Sequence, residues 1–419
     1  MLRRASLRRA VLGLGTVLSL AACKSSTEPG QPPTELTSLP RQLTSGEQQL
    51  IAASNGFSFA LWHQLSTAQR DSNVFISPLS ASFALGMTLT GAASTSFDQM
   101  RAALQLSSMP LQDIDAGYRS LVALLTSLDP SVTIRIANSV WYSRDFPVEQ
   151  SFLQDVRSYF GAEVQGLDFS DDAGSLKTIN GWVDQKTNGK IPSVLDAIDP
   201  RNVMFLIDAL YFKGSWRTRF DASRTTDDVF TTSSGVRQPM RLMHRHDSML
   251  YAATPTYQAV DLPYGNGAYS MTVVLPRPDT DIEALSADLS GSSWDALVGS
   301  LHGTDVDLSL PKVRLSYERL LNDDLKALGM VAPFGAGADF SRMSPLGRQL
   351  YIDFVKQNTF LDVDEEGTEA AAATTVGISV TSLPVTSVMR VDHPFLFVIR
   401  ERLSGTVLFM GKIVRLPDA

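Results

Sequence analysis

The segment "NVFISPLSASFALGMTLTGAAST", residues 73–95, predicts a helix whose two ends are both marked. Ser77 supplies a capping hydroxyl, and Pro78 stands at the first helical position, where its missing N–H is not needed. Gly91 is a stop signal. Between these ends the large apolar residues are Leu79, Phe83, Leu85, Met87 and Leu89. We expect this helix to lie in the core.

The chain around this helix mixes helical and strand patterns. Upstream, Ser45 with Gln48 resembles a capping box, and apolar residues then recur at helical spacing, which predicts a first helix. Downstream, residues 203–207, 271–275, 307–310 and 395–399 form short apolar runs typical of buried strands. Because helices and strands do not alternate strictly, the pattern predicts the α+β class.

Composition indicates one large globular domain. The chain has 419 residues, of which 44% are hydrophobic and 19% charged, and its net charge is −8. The acidic balance argues against nucleic acid as a partner. After the N-terminus no stretch of eighteen apolar residues occurs, and no repeat interrupts residues 45–419, so we predict a single domain there.

The N-terminus has the features of an export signal. Four arginines (Arg3, Arg4, Arg8 and Arg9) precede the apolar residues 11–20 and the pair Ala21-Ala22. The segment "LAAC" then ends at Cys23, the one cysteine in the sequence, and resembles the bacterial lipoprotein box. We expect a signal peptide over 1–22, lipidation of Cys23 and a flexible tether over 23–44. The alternative is an ordinary export signal with an incidental cysteine.

Six sequence blocks in a fixed order carry a resemblance to a known family. The block at 73–95 is followed by "INGWVDQKTNGKIPSVL" (179–195), "DALYFKGSW" (208–216), "LPKVRLSYERLLNDDLKALGM" (310–330), "VDEEGTEAAAATTVGIS" (363–379) and "DHPFLFVI" (392–399). Together they resemble the serpins. The resemblance implies a multi-helix domain with three β-sheets and an exposed reactive-centre loop, an inhibitor of serine proteases that is not an enzyme, and no cofactor or metal.

The fifth block has the composition of a segment with two conformations. Its alanines favour helix, whereas the following Thr, Val and Ile favour extended chain. In a strand, Thr368, Ala370, Ala372 and Thr374 would share one face, and all four are small, so they could slide beneath covering helices. By resemblance, the hinge of the reactive loop comprises Glu365, Glu366, Gly367, Thr368, Glu369, Ala370, Ala371, Ala372, Ala373 and Thr374.

The resemblance implies a mechanism in which inhibition consumes the inhibitor. A serine protease cleaves the loop and forms an acyl-enzyme, and the freed arm enters the central sheet as a strand. An arm of about 14 residues would carry the attached protease roughly 45 Å. The arm would gain on the order of ten hydrogen bonds at ~1 kcal/mol each, so the uncleaved fold would be kinetically trapped.

The position of the scissile bond has two candidates. Counting from Gly367 by the commonest family spacing places it between Thr381 and Ser382, and counting back from "HPF" allows Leu383 instead. None of these residues is basic, so trypsin-like proteases fit poorly. Thr381 suits elastase-like proteases and Leu383 suits chymotrypsin-like ones.

Two further groups of residues match family positions that control loop entry. At the opening end of the sheet, which we call the breach, Glu365 is expected to pair with Lys312 beside Trp216. Where the sheet must part, which we call the shutter, Ser77 and Ser80 match the family serines. Asp208 and Gln357 replace the usual Asn and His there, and we hypothesise that the two replacements pair with each other, because an unpaired buried carboxylate is costly.

The sequence leaves other functions open. A non-inhibitory serpin acting as a binding or scaffold protein is the main alternative, and an unrelated solute-capturing lipoprotein is another. His244 and His246 could bind a metal, but we favour a solvated strand or loop for both, because the other histidines are scattered and no free cysteine is expected. The stretch 111–128 has one basic residue, Arg119, so no glycosaminoglycan site is expected. We expect a monomer anchored at the cell envelope, with Lys24 after the lipidated cysteine favouring an outer membrane.

Overall fold

The computed structural model describes residues 34–368 and 386–417. Within these ranges the α-helices, numbered in chain order, are α1 (Ser45–Ala68), α2 (Pro78–Gly91), α3 (Ser94–Ala103), α4 (Leu111–Ser127), α5 (Gln150–Phe160), α6 (Asp172–Lys186), α7 (Ile282–Asp288), α8 (Gly291–Ser300) and α9 (Asn322–Ala327). None of these helices has the length and apolar character needed to cross a membrane.

The same ranges contain the β-strands. They are β1 (Val74–Ile76), β2 (Thr133–Ser143), β3 (Glu163–Leu167), β4 (Met204–Ser215), β5 (Thr226–Thr231), β6 (Arg237–Ala253), β7 (Tyr257–Tyr264), β8 (Tyr269–Pro276), β9 (His302–Pro311), β10 (Val313–Leu320), β11 (Lys356–Val363), β12 (Gly367–Thr368), β13 (Ser387–Arg390), β14 (Phe395–Glu401) and β15 (Val407–Ile413). The four predicted strand segments fall in β4, β8, β9 and β14. The α+β class is therefore confirmed.

The predicted N-terminal cap is confirmed for the second helix and wrong for the first. Helix α2 begins after Ser77, whose hydroxyl accepts the Ser80 N–H at 3.2 Å, as expected. Helix α1 is capped one residue earlier than predicted: the Thr44 hydroxyl accepts the Glu47 N–H, and the Glu47 carboxylate accepts the Thr44 N–H at 2.7 Å. The prediction with Ser45 was wrong because a carboxylate in the first turn is the stronger acceptor and also favours the positive end of the helix dipole.

The strands of the described residues form two continuous sheets instead of the three that were expected. One has the order β10-β11-β12-β4-β2-β3; the other has the order β1-β15-β14-β8-β7-β6-β9-β13, with β5 paired to β6. Strand β6 joins what would otherwise be separate sheets. Its first residues pair with β5 and its last with β7, while β9 follows most of its length.

Helix α2 lies at the centre of the core, as its pattern predicts. Most of its residues are buried, and it packs against β4 of the six-stranded sheet and β15 of the other sheet. The large buried side chains on this helix include Leu79, Phe83, Leu85, Met87 and Leu89. Any separation of strands in the six-stranded sheet must therefore occur over this helix.

The packed part of the chain starts before the predicted boundary at Ser45. The Leu36 N–H donates to the Asn266 carbonyl at 2.8 Å, and Leu39 packs against the core. The carboxylate of Glu35 lies 3.7 Å from the Arg402 guanidinium. The expectation of a tether reaching Thr44 was wrong for residues 34–44. The predicted signal peptide, Cys23 and the first part of the tether lie outside the described residues.

A buried ion pair joins the end of the nine-stranded sheet to α7. Lys412 is fully buried, and its ammonium donates to both carboxylate oxygens of Glu283 at 2.7 and 2.8 Å and to the Gln69 carbonyl at 3.1 Å. Removing one partner of such a pair leaves the other as an uncompensated buried charge.

We predict that Lys412→Met destabilises the intact protein by about 3–5 kcal/mol, because Glu283 loses its partner. The exposed pair of Lys326 with Asp323, 3.6 Å apart, provides the control, and Lys326→Met should cost at most about 1 kcal/mol. Guanidinium unfolding measures both variants. Equal losses would contradict a structural role for the buried pair.

Candidate functional site

The hinge begins with a tight reversal of the chain at the end of β11. The Asp364 N–H donates to the Gly367 carbonyl at 3.0 Å, and the Asp364 carboxylate accepts the N–H groups of Glu366 and Gly367 at 2.9 and 3.2 Å. The chain then returns as β12, in which Thr368 pairs with Val363 of β11 on one side. On the other side β12 pairs with β4. Gly367 and Thr368 thus already lie between β11 and β4.

Trp216 holds this reversal against the end of β4. Its backbone N–H donates to the Glu366 carbonyl at 2.8 Å, and its indole N–H donates to the Asp364 carbonyl at 2.9 Å. The indole stacks on Tyr264 with ring centroids 4.5 Å apart. The Tyr264 hydroxyl in turn lies 2.7 Å from the Thr368 hydroxyl, and burial raises the pKa of Tyr264. These contacts fix the first inserted side chain beneath the sheet.

The predicted breach pair is present. The Lys312 ammonium lies 2.8 Å from the Glu365 carboxylate, which also accepts the Thr225 hydroxyl at 2.7 Å. Burial raises the pKa of Glu365, but the hydrogen bonds from Lys312 and Thr225 outweigh it, so the pKa is lowered overall. Because Lys312 is 39% exposed, the pair contributes about 0.5–1 kcal/mol. The pair lies at the reversal that leads into Gly367 and Thr368 of β12.

Below β12, no pairing joins β4 to β11 among the residues that the structure describes. In the part of the chain that the structure describes, β4 and β11 are joined only through β12. A cavity of about 350 Å³ lies in this region, between residues 204–209 of β4, residues 349–358 leading into β11, and Ser80, Ala81, Ala84 and Leu85 of α2. A second void of about 20 Å³ lies nearer to Thr368. The facing edges of β4 and β11 thus border this cavity, with α2 beneath it.

The shutter residues make contacts that differ from those predicted. The Gln357 amide oxygen accepts the Ser77 N–H at 3.2 Å, and its NH₂ group donates to the Ser77 carbonyl at 2.6 Å. The Ser77 hydroxyl donates to the Leu408 carbonyl at 2.9 Å. The predicted pair of Asp208 with Gln357 is wrong, because the amide donor and acceptor of Gln357 match the Ser77 backbone groups and are both used there.

Because Gln357 binds the Ser77 backbone, the buried carboxyl of Asp208 does not have the partner that was predicted for it. Among the described residues, neither of its carboxylate oxygens has a hydrogen-bond partner, and both are buried although the residue as a whole is only partly so. Burial raises the pKa of Asp208 to about 8, and the Ser80 hydroxyl acts in the opposite direction. Directly across on β2 lies Asn138, whose amide oxygen also lacks a partner in the described region. A neutral Asp208 is therefore favoured at pH 7.

The remaining predicted site residues lie outside the described residues. They are Glu369, Ala370, Ala371, Ala372, Ala373, Thr374, Thr381, Ser382, Leu383 and Cys23. Conversely, the structure adds Tyr264, Thr225 and Asn138, which sequence reasoning missed. They lie on other strands or a loop, far along the chain, and only the sheet register brings them to the hinge and shutter.

The two histidines considered as metal ligands lie on β6 and make ordinary polar contacts. The His244 ring is 2.9 Å from the hydroxyls of both Thr226 and Ser309, and the His246 ring is 3.2 Å from the Asp305 carboxylate. Within residues 34–368 and 386–417, no three His, Cys, Asp or Glu side chains converge in a way that could hold a metal ion.

Comparisons with known proteins agree with this architecture. The family model described as Serpin (serine protease inhibitor) matches residues 52–416. Neuroserpin of Gallus gallus is 32% identical over 373 residues, covering 86% of this chain and 90% of that protein. The crystal structure of tengpin, a thermophilic serpin, in its native state has a TM-score of 0.81 at 30% identity and covers 91% of this chain and 97% of tengpin.

A second structural likeness is to a binding protein of the same fold. Human thyroxine-binding globulin, crystallised with its ligand, has a TM-score of 0.82 at 25% identity and covers 89% of this chain and 100% of that one. The family model, this relative and these two structures agree with the fold described above. The chain belongs to the serpin family, whose members are typically protease inhibitors and not enzymes.

We predict that Gly367→Ala prevents the hinge from seating. A Cβ at this position, where φ is +156°, would meet the Gly214 carbonyl oxygen and the Ser215 Cα of β4. Gly337→Ala is the matched control, since nothing lies within 4 Å of a Cβ there. We expect the unfolding midpoint of the intact protein to fall for Gly367→Ala only. Equal midpoints for the two variants would contradict the seating of the hinge.

Asp208 should give the intact protein a distinctive pH dependence. The unfolded carboxyl titrates near 3.8 and the folded one at about 8, so between these values only the folded state keeps the proton. Stability from this group is therefore greatest at low pH and falls by about 1.4 kcal/mol per pH unit as the pH rises toward 8. Asp208→Asn should remove this slope and raise stability at pH 7.

The measurement is the unfolding midpoint of the intact protein from pH 5 to pH 8. The control is Asp279→Asn, at an exposed position, which should keep the pH profile of the unmodified protein. If Asp208→Asn also kept that profile, the protonation assigned to Asp208 would be wrong.

Proposed function

We propose that this protein inhibits serine proteases as a suicide substrate, whose cleaved reactive loop inserts between β4 and β11. The observation that supports this most directly is the pairing of Gly367 and Thr368 between β4 and β11. Below this pairing, in the part of the chain that the structure describes, a cavity of about 350 Å³ lies between the two strands. Completing this insertion is the step that the mechanism requires.

The protease catalyses every chemical step up to the cleavage of the loop. The protease serine attacks the carbonyl carbon of the scissile peptide, the C–N bond breaks, and the new amino terminus leaves with a proton from the protease histidine. The inhibitor's N-terminal arm stays attached as an ester. Release would need water to attack this ester, and insertion of the arm displaces the protease before that happens. One inhibitor is consumed for each protease.

The energy for displacement would come from strand pairing. The edges of β4 and β11 below Thr368 do not pair with each other, so an inserted arm would complete two ladders at once. On the order of ten hydrogen bonds at ~1 kcal/mol each rivals the ~5–15 kcal/mol stability of a whole domain. The small side chains at 370, 372 and 374 support passage over the buried α2.

The residues around the proposed cleavage site set the class of target. Thr381 before Ser382 fits an elastase-like specificity pocket, and Leu383 fits a chymotrypsin-like one. We propose both classes of protease as targets.

We further propose that the protein is exported and anchored at the cell envelope by a lipid on Cys23, with the acidic domain outside the membrane. The "LAAC" motif and the basic N-terminus support this proposal.

A non-inhibitory binding function is the second candidate, and the likeness to thyroxine-binding globulin favours it. The two functions differ in what cleavage does. An inhibitor traps the protease as an ester, whereas a binding protein would be cut and released without trapping it.

We predict that incubation with an elastase-like or chymotrypsin-like serine protease gives a covalent adduct that survives SDS, because insertion outruns deacylation. Mass spectrometry of the released C-terminal peptide identifies the scissile bond. Thr368→Arg is the control: Thr368 is 4% exposed between two strands, so an arginine there should block insertion and give cleavage without adduct. Loop cleavage without adduct in the unmodified protein would favour the binding function.

A further inference from the structure

A cleft of about 540 Å³ lies where the end of α2, the start of α4 and helix α5 meet. None of the breach or shutter residues lines it. Leu111 of α4 and Phe152 and Tyr159 of α5 give it apolar walls, and Phe152 is buried beneath its surface. An apolar cleft with a few polar groups is typical of sites for small organic groups. The polar groups therefore decide what this cleft can bind.

The charged groups of the cleft are mostly acidic. Among the described residues that line it, three carry a carboxylate, namely Asp115 of α4, Asp155 of α5 and Glu149, and Arg342 carries the one positive charge. The Arg342 guanidinium carbon lies 5.0 Å from the centre of the Phe97 ring. In this part of the chain neither aspartate forms an ion pair, and no cation lowers the pKa of either carboxyl. The cleft thus has an excess of negative charge.

Asp115 is the acid that most needs a partner. Its side chain is 4% exposed, and one carboxylate oxygen accepts the Thr90 hydroxyl at 3.2 Å. The other oxygen borders the cleft and has no hydrogen-bond partner among the described residues. Burial raises the pKa of Asp115 to about 7, and the nearby charge of Asp155 adds to this shift. A cation in the cleft would relieve both the burial of the carboxylate and its repulsion by Asp155.

The chemistry of the cleft selects among possible cations. Within residues 34–368 and 386–417, no three His, Cys, Asp or Glu side chains converge in a way that could hold a metal ion. A primary ammonium presents N–H donors in several directions, so it can reach two carboxylates at once. An aliphatic stem behind it would contact the apolar walls at Leu111 and Phe152. The cleft therefore matches an ammonium on an aliphatic stem better than it matches a bare metal ion.

We propose that this cleft binds a primary ammonium group on an aliphatic stem, with Asp115 and Asp155 as its partners and Leu111 and Phe152 against the stem. The site is separate from the proposed inhibition of proteases and does not depend on it. A free aliphatic amine and a lysine side chain of another protein present the same chemical group, so the experiment must distinguish these two sources.

The test is calorimetric titration of the intact protein at pH 8 with n-pentylamine, n-pentanol and Nα-acetyl-lysine amide. We expect pentylamine to bind at least about tenfold more tightly than pentanol, which has the same stem without the charge. Asp115→Asn keeps an acceptor for Thr90 but removes the charge, and it should weaken pentylamine binding by about tenfold. Asp155→Asn should act in the same direction. The control is Asp113→Asn, at an exposed position of α4 outside the cleft, which should leave the affinity unchanged.

The pH dependence gives a second readout. Pentylamine keeps its charge at pH 6, whereas Asp115 is then largely protonated, so the affinity should fall from pH 8 to pH 6. The other charged groups facing Asp115 in the cleft are Asp155, Glu149 and Arg342, while Thr90 of α2 is uncharged. Asp115→Asn should reduce this fall.

The outcomes separate the two sources and the failure of the site. Tighter binding of Nα-acetyl-lysine amide than of pentylamine would support a lysine of a partner protein as the ligand, and weaker binding would support a free amine. The proposal is overturned if no amine binds, or if pentanol binds as tightly as pentylamine. It is also overturned if Asp115→Asn and Asp155→Asn both bind pentylamine as Asp113→Asn does.

Discussion

The pairing of Gly367 and Thr368 between β11 and β4 is the interaction on which the rest of this structure depends. It sets the direction and register of any further insertion, and it leaves the strand edges below it without a ladder between them. The reversal at Asp364, the indole of Trp216 and the hydroxyl of Tyr264 all hold this pairing in place. The ion pair of Lys312 with Glu365 lies directly above it.

Keeping β4 and β11 apart costs free energy at the shutter, where the Asp208 carboxyl is buried. A well-packed interior rarely leaves a carboxyl without a hydrogen bond, yet Asp208 has no such partner among the described residues. The donors of its neighbours are used elsewhere: the Gln357 amide binds the Ser77 backbone, and the Asn138 amide donates to the Phe160 carbonyl at 3.0 Å. Burial of this carboxyl raises its pKa to about 8, and the cavity beside it lies where the proposed mechanism requires a strand to enter.

The sequence predicted the parts of the site that depend on local chemistry. The cap at Ser77 follows from a serine before a proline, and the pair of Lys312 with Glu365 follows from matching family positions. Contacts that depend on register could not be predicted in this way. The choice of Gln357 between Ser77 and Asp208 is decided by the geometry of two backbone groups, and Tyr264 reaches Thr368 only because β12 enters the sheet beside β4.

Two larger features of the fold could also not be predicted from the sequence pattern. The docking of residues 34–44 depends on a carbonyl of Asn266 and a guanidinium of Arg402, both far along the chain, whereas the polar composition of this segment alone predicts a tether. The joining of two expected sheets depends on the length of β6, which pairs with different strands at its two ends. In both cases the deciding partners are distant in sequence, whereas helix ends and strand periodicity are local.

The central claim is that the intact protein is less stable than its cleaved form, and one measurement tests it directly. A protease that cuts within residues 369–385 gives the cleaved protein, and guanidinium unfolding then compares it with the intact chain. The account predicts a markedly higher midpoint for the cleaved form. An unchanged or lower midpoint would show that no strand enters the gap, and it would contradict the account.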